Sequence, residues 1–502
     1  MSQPLLDRLA KTPAHAEQQR IRIPEGWSAR HVHELALALG APALLYSGSS
    51  PEWEAEPRHL IPLAPRGYLV AKAGEWELAW DGEPTLRREG SAWSILRELN
   101  AALRRVEGEP ELSSSGGLVT LLSYDLGREI DPLPELAEDR DGLPWLVAIA
   151  CPAVLVLPAK GDSAKLCWLS AGRALTVEGP RWALDGRELG GLVEHVLRAL
   201  VGPLPPCPVV GAPRSEPVPQ ATREEHEERV RVVLEHLHAG NAYQVNVSQR
   251  FETEWEGSSL PLFPELAEHD PAPFSGWLRL GETGLSPELE LVSNSPERLV
   301  RLDADGLLSE PIKGTRQLSG PDADAAEVEA TIADLESSEK DRAELVMIVD
   351  LHRNDLGKVA APGTVEVPVL RRYDRRGHVV SGVAEIRARL REGCDALDVA
   401  EAMVPAGSIT GVPKRRVLAI LEELEPWRRG PYTGSLGWLS AGGGLDLNVL
   451  IRSAWRVGDR LVHQVGGGIV VGSDPTAEHE ECLAKGEGLV RAIERLRKGV
   501  AS

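Results

Sequence analysis

The chain has 502 residues, 42% of them hydrophobic, which is enough to bury more than one ordinary core. Its 55 Lys and Arg against 76 Asp and Glu give a net charge of -21, which argues against a nucleic-acid binder and against binding to an anionic membrane surface. Residues 1–20 are polar and no run of apolar residues is long enough to span a membrane, so neither a signal peptide nor a membrane span is predicted. The 5 scattered cysteines, without C-x-x-C spacing, predict neither disulfides nor a zinc site and favour a reducing cytoplasm.

The clearest boundary in the chain is a proline-rich run over residues 203–219, which we expect to lie outside regular structure. It predicts an N-terminal domain over 1–202 and a second domain over 220–500. In the first domain, apolar runs at 117–122 and 154–157 indicate strands, and no catalytic pattern is evident.

The second domain mixes helices and strands, which predicts an α+β fold. Helical periodicity over 223–238 ends at Gly240, a typical C-terminal cap. Alternation over 243–248 indicates a strand, and periodicity over 338–356 indicates an amphipathic helix. A further helix is predicted to begin at Pro475.

Each of the last two helices has a pair of acids three residues apart near its start. Asp341 and Glu344 share one helix face, and so do Glu478 and Glu481. Four carboxylates brought together repel one another unless a cation lies between them, and such oxygen ligands suit Mg²⁺. The alternative is local, because Ser338 and Asp341 also form a capping pattern and acids in a first turn favour the helix dipole.

Lys313 lies between Pro311 and a glycine that would let a ligand approach closely. An exposed lysine with a pKa near ~10.4 is almost fully protonated at neutral pH, so a nucleophilic lysine needs a site that lowers its pKa. A lysine in a surface loop is the alternative for this segment alone.

Two further segments are suited to binding an anion. Gly466–Gly468 interrupt an apolar strand, where a missing side chain would expose backbone N–H groups to a ligand. Arg452 is predicted to share a strand face with Leu450 and Ala454, where it would bind a substrate carboxylate or form a structural salt bridge. Residues 407–414 indicate a tight turn that opens a helix.

Motifs over about residues 220–497 resemble those of the chorismate-utilising enzyme family. The matching stretches are AYQVNVSQRF from 242, SPERLV from 295, PIKGTR from 311, DRAELVMIVDLHRNDLGKVA from 341, HVVSGV from 378, GSITGVPK from 407, GPYTGSLGWLS from 430, IRSAW from 451, GGGIV from 466 and AEHEE from 477. The resemblance implies a four-layer α+β fold in which two large β-sheets pack face to face with helices outside.

Lysine at position 313 resembles the aminodeoxychorismate-forming branch of the family, whereas anthranilate and isochorismate synthases usually have alanine there. The resemblance implies Mg²⁺-dependent amination of chorismate by ammonia to 4-amino-4-deoxychorismate, for p-aminobenzoate and folate synthesis. Lys313 would be the nucleophile in a covalent intermediate, Glu297 the general acid and base, and His378 a residue beside the ring. Anthranilate synthase component I, which forms anthranilate and pyruvate, is the alternative reaction, and a non-catalytic relative is a further alternative.

The resemblance also implies ligands and partners. Glu344 and Glu481 would bind Mg²⁺ directly, with Asp341 and Glu478 binding it directly or through water. The substrate would contact Gly314, Thr315, Tyr432, Arg452, Gly466, Gly467 and Gly468. None of the cysteines lies in a glutaminase motif, so ammonia would come from a separate glutamine amidotransferase subunit. The segment Leu44–Ser47 resembles a part of the family that can hold tryptophan.

Overall fold

A computed structural model describes residues 3–11, 14–24, 26–48, 58–104, 115–171, 181–204, 210–320, 323–376 and 379–500. The helices are α1 (Gln3–Lys11), α2 (Ala29–Ala38), α3 (Ala92–Leu103), α4 (Gly186–Val201), α5 (Arg223–His238), α6 (Leu262–His269), α7 (Ala325–Ser337), α8 (Glu339–Gly357), α9 (Ala396–Met403), α10 (Lys414–Leu424) and α11 (Pro475–Val500). Short 3₁₀ helices span Tyr124–Glu129 and Gly407–Ile409.

The strands of the N-terminal part are β1 (His15–Arg22), β2 (Ala43–Tyr46), β3 (Arg58–Leu63), β4 (Gly67–Lys72), β5 (Glu75–Trp80), β6 (Leu86–Glu89), β7 (Gly117–Leu122), β8 (Leu146–Cys151), β9 (Ala153–Pro158) and β10 (Ser163–Ser170). The remaining strands are β11 (Gly211–Pro213), β12 (Val218–Pro219), β13 (Gln244–Gly257), β14 (Phe274–Leu280), β15 (Leu289–Ser295), β16 (Arg298–Asp303), β17 (Gly306–Glu310), β18 (Ile312–Gln317), β19 (Glu366–Arg376), β20 (Val379–Ala388), β21 (Gly411–Val412), β22 (Ser435–Ser440), β23 (Leu445–Asn448), β24 (Ser453–Val457) and β25 (Arg460–Ile469).

These strands form two large sheets. The first has 13 strands in the order β1-β10-β9-β3-β2-β14-β15-β24-β25-β13-β11, with β12 and β21 also paired to β13. The second has 12 strands in the order β18-β20-β17-β16-β23-β22-β7-β8-β4-β5-β6, with β19 also paired to β20. Neighbouring strands run antiparallel, including those that join the two halves of the chain.

The sheets pack face to face, and helices cover their outer faces. Val119 and Ile149 of the second sheet belong to the same buried cluster as Val154, Leu291 and Trp455 of the first. The outer face of the second sheet packs on α1, α3, α8 and α9, and that of the first packs on α2, α4, α6 and α11. The predicted four-layer α+β fold with two packed sheets is therefore confirmed.

Both sheets contain strands from either side of the proline-rich run. In the first sheet β2 pairs with β14, where Leu44 lies opposite Trp277. In the second sheet β7 pairs with β22, where Val119 lies opposite Trp438. Residues 1–202 and 220–500 therefore contribute strands to the same two sheets. Their division into two domains stays a prediction.

The expectation that residues 203–219 lie outside regular structure is wrong for part of this run. Gly211–Pro213 and Val218–Pro219 are short strands that pair with β13. Proline is tolerated there because these strands lie beside the end of the sheet, where one backbone edge needs no partner. Residues 205–209 lie outside the described part of the chain.

The predicted helices are confirmed close to their expected ends. Helix α5 begins after a capping box at Thr222 and ends before Gly240, whose φ is +73°. The side chain of Ser338 caps α8, and Asp474 accepts a hydrogen bond from the Ala477 backbone N–H at 2.9 Å at the start of α11. These caps fix where each pair of acids lies on its helix.

Two further observations on the described residues concern membrane spans and cysteines. None of their helices is long and apolar enough to cross a membrane. Four of the cysteines are described, and all have free thiols.

Candidate active site

A cavity of about 370 Å³ brings together residues from β13, β18, α8, β25 and α11. The predicted site residues that line it are Glu297, Lys313, Gly314, Thr315, Asp341, Glu344, Tyr432, Arg452, Gly466, Gly468 and Glu481. Gly467 and Glu478 are not among its lining residues but lie together, since a Cβ atom at Gly467 would be 3.1 Å from Glu478 Oε2. His378 lies outside the described residues, so its predicted place beside the ring stays a prediction.

A bulge in β18 sets the position of Lys313. The pairing of β18 with β20 shifts register between Lys313 and Thr315, and Gly314 between them has a φ of +74°. A Cβ atom at Gly314 would lie 3.1 Å from the Cβ and Cγ atoms of Asp341. Glycine is therefore needed both for the backbone conformation and for the close packing of α8 on this strand.

The side chain of Lys313 lies in the cavity without a hydrogen bond or an ion pair to any described residue. Burial lowers the pKa of Lys313 below its ordinary value of 10.5. Glu344, Glu297 and Glu481 oppose that shift, and Lys485 adds to it. Desolvation is the larger effect, so this amine loses its proton more readily than a lysine in water.

The glycines of β25 leave room for polar groups in the cavity. A Cβ atom at Gly466 would lie 2.7 Å from Asn246 Oδ1 and 2.8 Å from Tyr432 Oη. A Cβ atom at Gly468 would lie 3.2 Å from Lys313 Nζ. Any larger residue at these two positions would displace the groups that line the cavity.

The prediction that Arg452 lies on a strand is wrong. Arg452 falls between β23 and β24 and has a φ of +49°, a conformation that interrupts the extended ladder. Its side chain still reaches the cavity, and its Nη1 lies 3.9 Å from Asp270 Oδ2. Such local strain recurs at binding sites, where the surrounding structure holds the residue in place.

Glu297 is another buried member of the site, with only 3% of its surface exposed. It follows β15, and its backbone N–H donates to Ser295 Oγ at 3.2 Å. Its backbone carbonyl accepts a hydrogen bond from the Val449 N–H at 3.0 Å, which holds this segment against the residues that follow β23. A carboxyl group in this setting is fixed in position and shielded from bulk water.

The four predicted metal-binding acids each have a cationic neighbour. The pairs are Asp341 with Arg316 at 2.9 Å, Glu344 with Lys340 at 3.9 Å, Glu478 with Lys340 at 3.6 Å, and Glu481 with Lys485 at 2.8 Å. Among the described residues, no three Asp, Glu, His or Cys side chains are placed to hold one metal ion. The carboxylate oxygens of these acids are the ligands that Mg²⁺ prefers. In this structure lysine and arginine side chains balance their negative charge.

The acids of the two helices differ in their electrostatics. Burial raises the pKa of Glu344, and Lys313 and Lys340 oppose the shift. The Lys485 ammonium, one helical turn away, lowers the pKa of Glu481. The charge of Glu344 therefore depends more on a neighbouring cation than burial alone would allow, whereas Glu481 already has one in Lys485.

The site contains polar residues that the sequence did not single out. Ser408 Oγ, Asn246 Oδ1 and Gln464 Oε1 are buried at the cavity without a hydrogen-bond partner in the described chain. Lys340 and Lys485 also line the cavity. The spacing of Lys485, four residues after Glu481, was the one available signal, because i, i+4 pairs of opposite charge meet on a helix.

The segment resembling a tryptophan-binding part lies away from this cavity. Leu44 and Tyr46 belong to β2 in the first sheet, and the Tyr46 ring stacks on His59 with centroids 4.1 Å apart. Ser47 donates its hydroxyl to the Arg58 carbonyl at 2.6 Å. Tryptophan binding at this segment stays a prediction.

Comparison with known proteins assigns a family to this arrangement. The family model described as "chorismate binding enzyme" matches residues 45–491. An anthranilate synthase component 1 of Haloarcula marismortui is 37% identical over 81% of this chain and 82% of its own length. The aminodeoxychorismate synthase component 1 of Escherichia coli is 34% identical over 80% of this chain and 83% of its own length.

Solved structures agree with this assignment. Anthranilate synthase component I from Streptococcus pneumoniae superposes with a TM-score of 0.73 at 25% identity, covering 87% of this chain and 92% of that one. The menaquinone-specific isochorismate synthase of Escherichia coli shares the fold, with a TM-score of 0.62 at 17% identity and 98% of each chain covered.

Proposed function

Because the chain belongs to the chorismate-binding enzyme family, we propose that it is the aminating component that converts chorismate and ammonia into 4-amino-4-deoxychorismate. The observation that supports this reaction is the placement of Lys313 in the cavity, with a lowered pKa and no ion pair to a described residue. A lysine in that state can act as a nucleophile, which an alanine at this position could not.

The proposed reaction has two steps. The neutral amine of Lys313 attacks C2 of the chorismate ring, the ring double bonds shift, and the C4 hydroxyl leaves as water after it gains a proton. Ammonia then forms a bond to C4, the double bonds shift back, and the lysine amine leaves from C2. The enolpyruvyl group is retained, and no oxidant or reductant is needed.

Glu297 is the proposed source of the proton for the departing hydroxyl. It lines the same cavity as Lys313 and is almost fully buried. A general acid must be within reach of the leaving oxygen and must be protonated when the bond breaks. His378, named by the resemblance, is a further proposed residue of the reaction.

Mg²⁺ is the proposed metal, held by Glu344 and Glu481, with Asp341 and Glu478 nearby. These acids meet the requirement of hard oxygen donors from two helices. The bound ion would neutralise the ring carboxylate of chorismate and orient it. Among the nearby carboxylates, Glu344 most strongly opposes the lowering of the Lys313 pKa.

The other proposed contacts are with the carboxylates and ring of the substrate. Arg452 and Tyr432 supply a cation and a hydroxyl, and the backbone at Gly466–Gly468 supplies N–H groups. Gly314 and Thr315 line the cavity beside Lys313. These groups bind without entering the covalent steps.

Ammonia is proposed to come from a separate glutamine amidotransferase subunit. Relatives are named component 1 of two-component synthases, and no glutaminase cysteine motif is present in the sequence. Tryptophan near Leu44–Ser47 and a cytoplasmic location are further proposals that follow from the resemblance and from the thiol content.

Anthranilate synthase component I is the second candidate, because relatives with that name match at 37% and 35% identity. Both enzymes would start from chorismate, Mg²⁺ and ammonia. Their products differ, since anthranilate formation releases pyruvate whereas amination at C4 retains the enolpyruvyl group.

The deciding experiment is incubation of the purified chain with chorismate, MgCl₂ and an ammonium salt at alkaline pH, followed by mass analysis. We expect a product one mass unit lighter than chorismate, as replacement of OH by NH₂ requires, and no pyruvate. Equimolar anthranilate and pyruvate would overturn the proposal in favour of the alternative. Glutamine in place of ammonia should give no product.

A further inference from the structure

Lys340 occupies an unusual position between the two acidic helices. It lies in the first turn of α8, and its Nζ is 3.9 Å from Glu344 Oε1 on the same helix. The same Nζ is 3.6 Å from Glu478 Oε1 on α11. One ammonium group therefore links acids of two helices that otherwise face each other at the cavity.

The acids need this cation when no metal neutralises them. Glu478 has only 4% of its side chain exposed, and Glu344 has 13%, so water screens their mutual repulsion poorly. The Lys340 ammonium is thus within ion-pair distance of two of the four acids at the proposed Mg²⁺ site.

We propose that Lys340 is a tethered counter-cation that holds Glu344 and Glu478 in the metal-free protein and that Mg²⁺ displaces. The inference rests on the metal part of the proposed function. Glu344 is a proposed ligand of the ion and Glu478 lies beside it, so a divalent ion there would strongly repel an ammonium within ion-pair distance of both acids. Metal binding must therefore move the lysine outward, and 53% of its side chain is already exposed, which leaves a path.

This exchange has two consequences. Lys340 weakens Mg²⁺ binding, because each binding event must break two ion pairs. It also stabilises the metal-free protein, because it offsets repulsion between α8 and α11. The chain therefore keeps its acidic helices together before the metal arrives, at the expense of metal affinity.

The first test is calorimetric titration of MgCl₂ into the full chain without substrate. Lys340→Gln should bind Mg²⁺ at least about 10-fold more tightly than the wild type. Lys340→Arg, which keeps the charge, should stay within about threefold of the wild type. Lys358→Gln is the matched control, since Lys358 is the C-terminal cap residue of α8, has 55% of its side chain exposed and pairs with Asp355 at 2.8 Å. It should bind Mg²⁺ as the wild type does.

Two further measurements do not depend on affinity alone. Metal-free Lys340→Gln should melt at a lower temperature than the wild type and gain a larger upward shift on addition of MgCl₂. In the wild type, acylation of Lys340 by an amine-reactive reagent, mapped by mass spectrometry, should increase when MgCl₂ is added, whereas acylation of Lys358 should not change.

Unchanged or weaker Mg²⁺ binding by Lys340→Gln would overturn the inference, and so would acylation of Lys340 that ignores Mg²⁺. If the wild type aminates chorismate with Mg²⁺ but Lys340→Gln has wild-type affinity, this inference fails and the proposed function stands. If the wild type binds no Mg²⁺ even in the presence of chorismate, the proposed metal and this inference fail together.

Discussion

Lys313 and Lys414 lie near opposite ends of helix α8, and only one of them has an ion-pair partner on that helix. Lys414 Nζ lies 2.6 Å from Asp355 Oδ2, near the end of the helix. Lys313 lies near Glu344 at the start of the helix, but its amine has no ion pair or hydrogen bond to a described residue. The same helix thus faces one paired lysine and one unpaired lysine.

Burial lowers the pKa of both lysines, so desolvation alone does not distinguish a reactive amine from a structural one. The difference lies in the partner. Asp355 is buried and gives Lys414 a fixed countercharge, which makes the pair a part of the core. Lys313 faces a cavity instead, where its amine forms no ion pair with a described carboxylate.

The largest expected effect is on chemistry at Lys313. Lys313→Ala removes the amine, and Lys313→Arg keeps a charge but offers a group that is effectively never deprotonated. Both should lower the rate of 4-amino-4-deoxychorismate formation by several orders of magnitude, roughly the loss seen when a covalent nucleophile is removed. Product formation measured by mass spectrometry checks this.

The corresponding control is Lys414→Arg, which keeps the ion pair with Asp355 and should retain most of the amination rate. In the wild type without ammonia, intact-mass analysis should reveal an adduct heavier by chorismate less one water, on the peptide that contains Lys313. Amination by Lys313→Arg at the wild-type rate would show that this lysine is only a countercharge.

The second prediction concerns stability, where the two lysines should have opposite effects. Lys414→Met leaves Asp355 buried with one partner fewer, and we expect the free energy of unfolding to fall by about 3–5 kcal/mol. Lys313→Met removes a buried charge that has no partner, so stability at neutral pH should hold or rise. Urea unfolding of both variants measures this, and a similar loss in both would contradict the comparison.

The third prediction applies the comparison to the acids of α8. Glu344→Gln should weaken Mg²⁺ binding by roughly 10- to 100-fold, as expected for loss of a charged ligand, while the metal-free melting temperature holds or rises. Asp355→Asn should do the reverse, lowering the melting temperature without changing Mg²⁺ affinity. Calorimetric titration and thermal melts separate the two, and wild-type Mg²⁺ binding by Glu344→Gln would remove it from the metal site.

The ends of the helices could be predicted from the sequence because the residues that cap a helix lie within a few positions of its ends. The capping serine before α8 and the Asp474–Pro475 pair before α11 fix the ends of those helices within a few residues of chain. The acids at positions 341 and 344 then fall on one face. Family motifs supplied the proposed roles of Lys313 and Glu297, which spacing alone could not give.

What the sequence did not show depends on distant contacts or on backbone angles. The positive φ of Arg452 could not be predicted from the residue type, since arginine rarely adopts this conformation. The pairing of β2 with β14 joins residues more than two hundred positions apart, so the sheets could not be traced through the proline-rich run. Lys340 was overlooked because its second partner, Glu478, is on another helix.

The smallest expected effect is the pH dependence of stability that Lys313 causes. Its pKa is lowered in the folded chain and is near ~10.4 in the unfolded chain, so the unfolded state binds more protons between these two values. The stability of the wild type relative to Lys313→Met should therefore rise with pH inside that window and stay constant below it. The slope cannot exceed about 1.4 kcal/mol per pH unit for one group.

Urea unfolding of metal-free wild type and Lys313→Met at several pH values up to about pH 9.5 measures this difference. Because metal is absent in both, a change with pH reports the amine itself. A difference that is flat over the whole range would mean that the folded protein leaves the lysine pKa unshifted. The amine would then be almost entirely protonated at neutral pH, and Lys313 would need Mg²⁺ or bound chorismate before it could act as a nucleophile.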